Sequence, residues 1–114
     1  PTAEIISEAY LSIGVNTYSS AVFNFVPDLA LRYYQALRSG NQQVVNEILQ
    51  SFVIPFVRLR SKKKGYAVSL IKAGARLIGK DAGAVRPPLV MPSQTEIAEL
   101  QELIQVANQL VSAQ

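Results

Sequence analysis

The sequence predicts a mostly α-helical chain with one short strand. It is laid out as the last strand and helices of a (β/α)₈ barrel followed by a C-terminal helical region. Three observations carry this. Apolar residues recur at helical spacing in five separate stretches. Between the first two lies Gly14–Pro27, GVNTYSSAVFNFVP, which reads as a Gly break, a β-prone run, a polar turn and a helix starting at Pro. One strand cannot form a sheet alone, so the 114 residues read as the closing portion of a larger barrel, with residues 1–40 its last helix–strand–helix part and 41–114 the helical region. Such barrels place their chemistry at the C-terminal ends of their strands, and Tyr18, Ser19 and Ser20 stand at such an end.

Each element has a local reason. Thr2 is placed to cap a first helix, with Glu4 in its first turn. Ile5, Ala9 and Ile13 recur every fourth residue, with Ile6 and Tyr10 beside them, and predict one apolar face. Gly14 stops this helix. Val15–Tyr18 is the predicted strand and Ser19–Asn24 the turn. Pro27 suits a first helical position, where its missing N–H costs nothing. Leu29, Tyr33 and Leu37 form the next stripe, widened by Ala30 and Tyr34, and Ser39-Gly40-Asn41 is a stop and a restart.

The third helix carries Val44, Val45, Ile48, Leu49, Phe52, Phe56 and Leu59. Pro55 lies inside it and removes the bond to the Ser51 carbonyl, which predicts a kink. Tyr66–Ile78 is a fourth helix; its Ala67, Ala73, Gly74 and Ala75 leave room for close approach of a neighbouring helix, and Gly79 ends it. Lys80–Pro92 is a loop broken by Pro87, Pro88 and Pro92. Ser93-Gln94-Thr95-Glu96 is a capping box, and Ile97, Leu100, Ile104, Ala107 and Val111 follow at helical spacing.

Composition narrows the chemistry. Cys and His are both absent, which excludes thiolate nucleophiles, imidazole bases, disulfides and Cys/His metal sites built from these residues. Hydrophobic residues make up 49% and charged residues only 17%, where a self-sufficient domain carries about 25% charge. Apolar faces that expect a partner are the sharper explanation; a well-packed helical domain is the plainer one. An N-terminal signal and an 18-residue apolar run are both lacking, so the expected location is the cytoplasm.

The charged motifs read as structural. Arg58, Arg60, Lys62, Lys63 and Lys64 cluster with no interleaved aromatic and a formal net charge of only +3. That is a solvated helix end with cations near its last carbonyls, not a nucleic-acid contact. Lys72 sits among Leu70, Ile71, Ala73 and Gly74, a setting that invites a Schiff-base role. Ser69 and Arg76 give the same helix a polar side, and Lys72 reads as a surface residue. Glu96, Glu99 and Glu102 are explained by capping and helical spacing better than by acid–base chemistry.

Four stretches carry a resemblance that periodicity would not name: Pro1–Tyr10 (PTAEIISEAY), Thr17–Pro27 (TYSSAVFNFVP), Gly65–Ala75 (GYAVSLIKAGA) and Gly83–Leu89 (GAVRPPL). Through them the whole chain resembles the C-terminal part of the dihydrodipicolinate synthase/N-acetylneuraminate lyase superfamily, class I aldolase-type (β/α)₈ barrels with an added helical region. TYSSAVFNFVP is the specific stretch. The broader superfamily has a shorter turn before an Asn-x-x-Pro that Asn24–Pro27 resembles. It points to the branch that dehydrates and decarboxylates 5-dehydro-4-deoxyglucarate to 2,5-dioxopentanoate.

The resemblance implies a mechanism. A Lys forms a Schiff base with a 2-oxo acid, and the iminium is the electron sink for loss of water and carbon dioxide. A Tyr assists proton transfer, and a Gly-Thr-rich loop holds the substrate carboxylate. Metal and organic cofactors are not needed. All three elements belong to earlier barrel strands, so this chain is expected to carry no catalytic residue and to be inactive alone. Tyr18 and Lys72 do not inherit the catalytic roles. Only Ser19 and Ser20 carry over, as substrate-binding residues. The implied partners are a small 2-oxo sugar acid in the full-length enzyme and further copies of the chain in a homo-oligomer, with no nucleic acid and no membrane. A stand-alone helical protein-interaction module is the alternative reading.

Overall fold

A computed structural model describes residues 4–113, and the predicted cap Thr2 lies outside them. Among the described residues there are six α-helices and no strand. The helices are α1 (Ser7–Ser12), α2 (Pro27–Ser39), α3 (Gln42–Ile48), α4 (Ile54–Arg60), α5 (Tyr66–Leu77) and α6 (Gln94–Ser112). A 3₁₀ turn (Ala21–Asn24) precedes α2, and a π-helical turn (Leu49–Val53) joins α3 to α4.

The expected strand Val15–Tyr18 does not form. A β-prone run needs a neighbour to take its backbone hydrogen bonds, and no described segment offers one. The run is held by aromatic side chains instead. Tyr34 Oη donates to the Asn16 carbonyl at 2.7 Å. The Tyr18 ring stacks on Tyr34, with centroids 5.6 Å apart and 7° between planes, and meets Tyr33 edge-on at 6.2 Å. The predicted apolar face of the first helix is likewise unburied: Ile5, Ala9, Tyr10 and Ile13 are all exposed, and α1 contributes no residue to the core. Helical spacing creates such a face; burying it takes something to pack against.

The chain stops are those the glycines dictate. Gly14 adopts φ 94°, which L side chains rarely tolerate. It lets Val15 N–H reach the Tyr10 carbonyl at 3.2 Å and its own N–H reach that of Leu11 at 3.1 Å, a Schellman closure of α1. The same pair of bonds closes α2 at Gly40 and α5 at Gly79. Starts are equally local. Pro27 begins α2, and Asn41 Oδ1 accepts from Val44 N–H at 3.3 Å to cap α3. Ser93 and Glu96 form the reciprocal capping box of α6, with Ser93 N–H on Glu96 Oε1 at 2.9 Å. Tyr66 Oη adds a second donor to that carboxylate at 2.7 Å. These bonds, led by the backbone one, hold the Glu96 carboxyl below the usual carboxylate range.

The Pro55 irregularity takes the form of the π turn. Proline has no N–H and its ring crowds the carbonyl one turn back. Widening Leu49–Val53 accommodates both, and the helix resumes at Ile54. The core lies between α2, the π turn, α4, α5 and α6. Phe25, Phe52 and Phe56 form its aromatic centre, with Phe52 and Phe56 stacked at 5.8 Å. Gly74 of α5 receives Phe25, not another helix: a Cβ there would stand 2.7 Å from the ring. Of the small residues expected to line a close approach, Ala73 and Ala75 are buried and Ala67 is exposed. The loop Lys80–Pro92 is strapped along α5. Ser69 Oγ donates to the Val90 carbonyl at 2.6 Å, Lys72 Nζ to that of Ala84 at 3.2 Å, and Arg76 pairs with Asp81 at 3.2 Å. The Gly83 N–H, with Arg76 helping, holds the Asp81 carboxyl low.

Candidate functional site

The polar turn after the Val15–Tyr18 run opens onto a cavity of about 230 Å³. Ser19 and Ser20 both line it, with Glu4, Tyr18 and Tyr33 beside them and Arg60 from the end of α4. Its remaining wall is apolar, contributed by the 3₁₀ turn, α2, the end of α3, the π turn and α4.

Ser20 is placed by its backbone. It is extended (φ −140°, ψ 141°) and caps the 3₁₀ turn, its Oγ accepting from Val22 N–H at 3.3 Å. The same Oγ donates to Glu4 Oε1. Tyr18 Oη reaches that carboxylate oxygen at 3.5 Å. The Glu4 backbone carbonyl is taken by Tyr33 Oη at 2.6 Å and Ser7 Oγ at 2.7 Å. Asn24 steadies the other end of the turn, its Nδ2 donating to the Ala21 carbonyl at 2.8 Å. Ser19 is exposed at the cavity mouth.

The cluster is therefore one of protonated hydroxyls around a single carboxylate. Burial pushes the Tyr18 hydroxyl well above the ordinary phenol range; a contact with Ser20 opposes this and the Glu4 charge reinforces it. Tyr33 is raised for the same reason, opposed by Ser7. Both are donors at neutral pH and neither serves as a base. Among the described residues no cluster of Asp and Glu could hold a metal ion.

The residue types singled out by sequence are distributed as follows. Ser19 and Ser20 share the cavity. Lys72 stands apart, on α5, engaged with loop carbonyls. Glu99 pairs with Lys62 at 2.8 Å on the half-exposed surface between α4 and α6, where such a pair contributes little. Two cavity residues were not singled out as functional. Glu4 reads in sequence as an ordinary first-turn acid, and nothing in the spacing links it to Ser20. Arg60 reads as part of a solvated basic run, although it extends the every-fourth-residue series Ile48, Phe52, Phe56.

Comparison with known proteins decides the family. The Dihydrodipicolinate synthetase family matches residues 3–107. This chain belongs to that family. Among curated relatives of this dihydrodipicolinate synthetase family member is a protein of Rhizobium rhizogenes named "Probable 5-dehydro-4-deoxyglucarate dehydratase", 58% identical over 108 residues, covering 95% of this chain and 36% of the relative. Proteins of the same name from Rhodococcus opacus and Bradyrhizobium diazoefficiens are 56% identical over 104 residues and 48% over 114, covering 91% and 100% of this chain. They are covered over 34% and 36% of their own length. The chain thus spans about a third of the length of the curated relatives it matches. The resemblance is borne out for the family, and the relatives share the dehydratase name. No described helix is long and apolar enough to cross a membrane.

Proposed function

We propose that the chain is the C-terminal portion of a Schiff-base lyase. The parent removes water and carbon dioxide from 5-dehydro-4-deoxyglucarate and yields 2,5-dioxopentanoate. The observation that carries this reading is the set of relatives bearing that dehydratase name at 48–58% identity over nearly all of the chain. In this reading Val15–Tyr18 is the last barrel strand and takes its ladder bonds from a neighbour outside these residues. Residues 1–40 close the barrel and 41–114 cover it. The unpaired state of that run and the exposed Ile13 and Val15 support the placement.

Ser19 and Ser20 hold the substrate through their hydroxyls. The Schiff-base Lys, the proton-transferring Tyr and the carboxylate loop come from the rest of the parent, so the 114 residues alone are inactive. The parent works in the cytoplasm as a homo-oligomer and needs no added cofactor.

The test is made on the full-length protein that carries these residues. Borohydride with 5-dehydro-4-deoxyglucarate is expected to trap a covalent adduct on a Lys outside residues 1–114, with carbon dioxide released in its absence. The isolated 114-residue chain is expected to do neither. Turnover by the isolated chain, or an adduct on Lys72, overturns the reading. Replacing Ser19 and Ser20 together by Ala is expected to raise KM or lower kcat with the melting temperature held; unchanged kinetics remove them from the site.

A further inference from the structure

We propose that Arg60 is the anchor for the remote carboxylate of a dicarboxylate sugar acid, and so sets specificity for a substrate charged at both ends. The inference rests on the function proposed above and adds to it the group that reads the far end of the substrate.

Four observations carry it. First, Arg60 lines the same cavity as Ser19 and Ser20. Second, among the described residues it is the one cationic side chain in that lining, which also holds the hydrocarbon side chains of Ile48, Phe52, Val53, Phe56 and Val57. Third, Arg60 is only partly exposed, and among the described residues its guanidinium has neither an ion pair nor a hydrogen bond to a protein atom. Among the described residues no buried side-chain nitrogen or oxygen lacks a partner, so the Arg60 donors stay open to water or a ligand. Fourth, Glu4, the acid in the lining, is engaged by Ser20 and Tyr18 and makes no ion pair with Arg60.

A guanidinium presents a planar fork of donors that fits a carboxylate through two parallel bonds. Hydroxyl donors at one part of the lining and a guanidinium at another suit a short, hydroxylated chain ending in an anion. The cavity, about 230 Å³, is small for a ligand pocket and so suits a short acid over a larger ligand. A substrate with two carboxylates needs two such anchors, and the 2-oxo end is the one that the reacting centre must hold.

The experiment uses the full-length protein and two unreactive probes, D-glucarate and D-gluconate. They differ in that gluconate carries an alcohol where glucarate has its second carboxylate. Calorimetric titration is expected to show tighter binding of glucarate by the wild type. Arg60→Gln is expected to weaken glucarate about 10- to 100-fold, the loss of a charge-assisted pair of hydrogen bonds, and to leave gluconate within about twofold. Arg60→Lys keeps the charge without the fork and is expected to fall between.

A melting temperature held in both variants separates loss of the anchor from loss of the fold. Equal affinity for the two probes in the wild type, or equal weakening of both in Arg60→Gln, overturns the inference. Release of carbon dioxide from 5-dehydro-4-deoxyglucarate is scored separately. Turnover with no Arg60-dependent preference rejects the anchor and leaves the lyase standing; a preference without turnover rejects the lyase and leaves the anchor.

Discussion

The N-terminal region and the α2–α6 assembly contain the same kind of apolar pattern, yet only one of them buries it. In α2–α6 the stripe residues Tyr33, Ile48, Phe52, Leu70 and Leu100 are almost fully enclosed. In residues 4–20 Ile5, Ile6, Tyr10, Ile13 and Val15 stay in water. The two differ in what faces them. The helices of the assembly pack against one another around the core, whereas α1 packs mainly on α2, touches α3 through the Gln42–Glu8 hydrogen bond, and the run after it meets no strand among the described residues. Amphipathic spacing is a request for a neighbour, and the structure shows which requests these residues answer by themselves.

Removing a core side chain tests that contrast most severely. Leu70 is 0% exposed. Leu70→Ala is expected to destabilise by about 2–5 kcal/mol, through lost transfer energy and the cavity left behind. Urea unfolding followed by circular dichroism checks this. A change below about 1 kcal/mol would mean that α5 is not tied into the core as described. Gly74→Ala probes the same helix from the opposite direction. The added methyl meets the Phe25 ring, so a loss of about 1–3 kcal/mol from overpacking is expected. An alanine ordinarily strengthens a helix interior, so a gain in stability would show that Phe25 moves aside freely.

What could be read from the sequence divides along the same line. Helix ends were legible because their causes are local: Gly14, Gly40 and Gly79 close helices, and Ser93 with Glu96 opens one. Core stripes in α2–α6 were legible because their neighbours lie within these residues. The strand expected at Val15–Tyr18 does not form, because a β-prone run needs a partner for its backbone bonds and no described segment supplies one. The π turn was not legible, because Pro55 dictates that the helix must give way but not how. At the candidate site, hydroxyls at the end of a β-prone run marked Ser19 and Ser20. The meeting of Ser20 with Glu4, 16 residues earlier, has no periodic signature. Arg60 had one, its place four residues after Phe56, masked by the basic residues around it.

The capping box lets the comparison be tuned without touching the core. Ser93→Ala removes one acceptor at the start of α6 and is expected to cost about 1 kcal/mol. The same box gives a pH dependence whose sign follows from Glu96. Its carboxyl titrates lower in the folded chain than in the unfolded one, chiefly because it accepts the Ser93 backbone N–H. Its contribution is therefore complete above the unfolded value of about 4.3 and is lost as pH falls through the lower folded value. Glu96→Gln is expected to flatten the acid limb of a stability profile. An unaltered acid limb would assign that limb to other carboxylates, Asp81 first, since it is held low by the Gly83 N–H.

The smallest expected effect is the most telling about the exposed region. Ile13 is 76% exposed at the end of α1. In the core, replacing such a residue by Ser would be severe; here Ile13→Ser is expected to change stability by less than about 0.5 kcal/mol in the isolated chain. The wild-type surface should still betray itself in another way. Ile5, Ile6, Tyr10, Ile13 and Val15 fall within one short stretch, and exposed apolar groups of this kind promote association. Sedimentation of the isolated chain is expected to show concentration-dependent association that Ile13→Ser reduces. In the full-length protein the same substitution is expected to cost about 1–3 kcal/mol, the range for uncovering a packed aliphatic side chain. Equal, small effects in both settings would mean that nothing covers this face in the parent, and the barrel placement of residues 1–40 would fall with it.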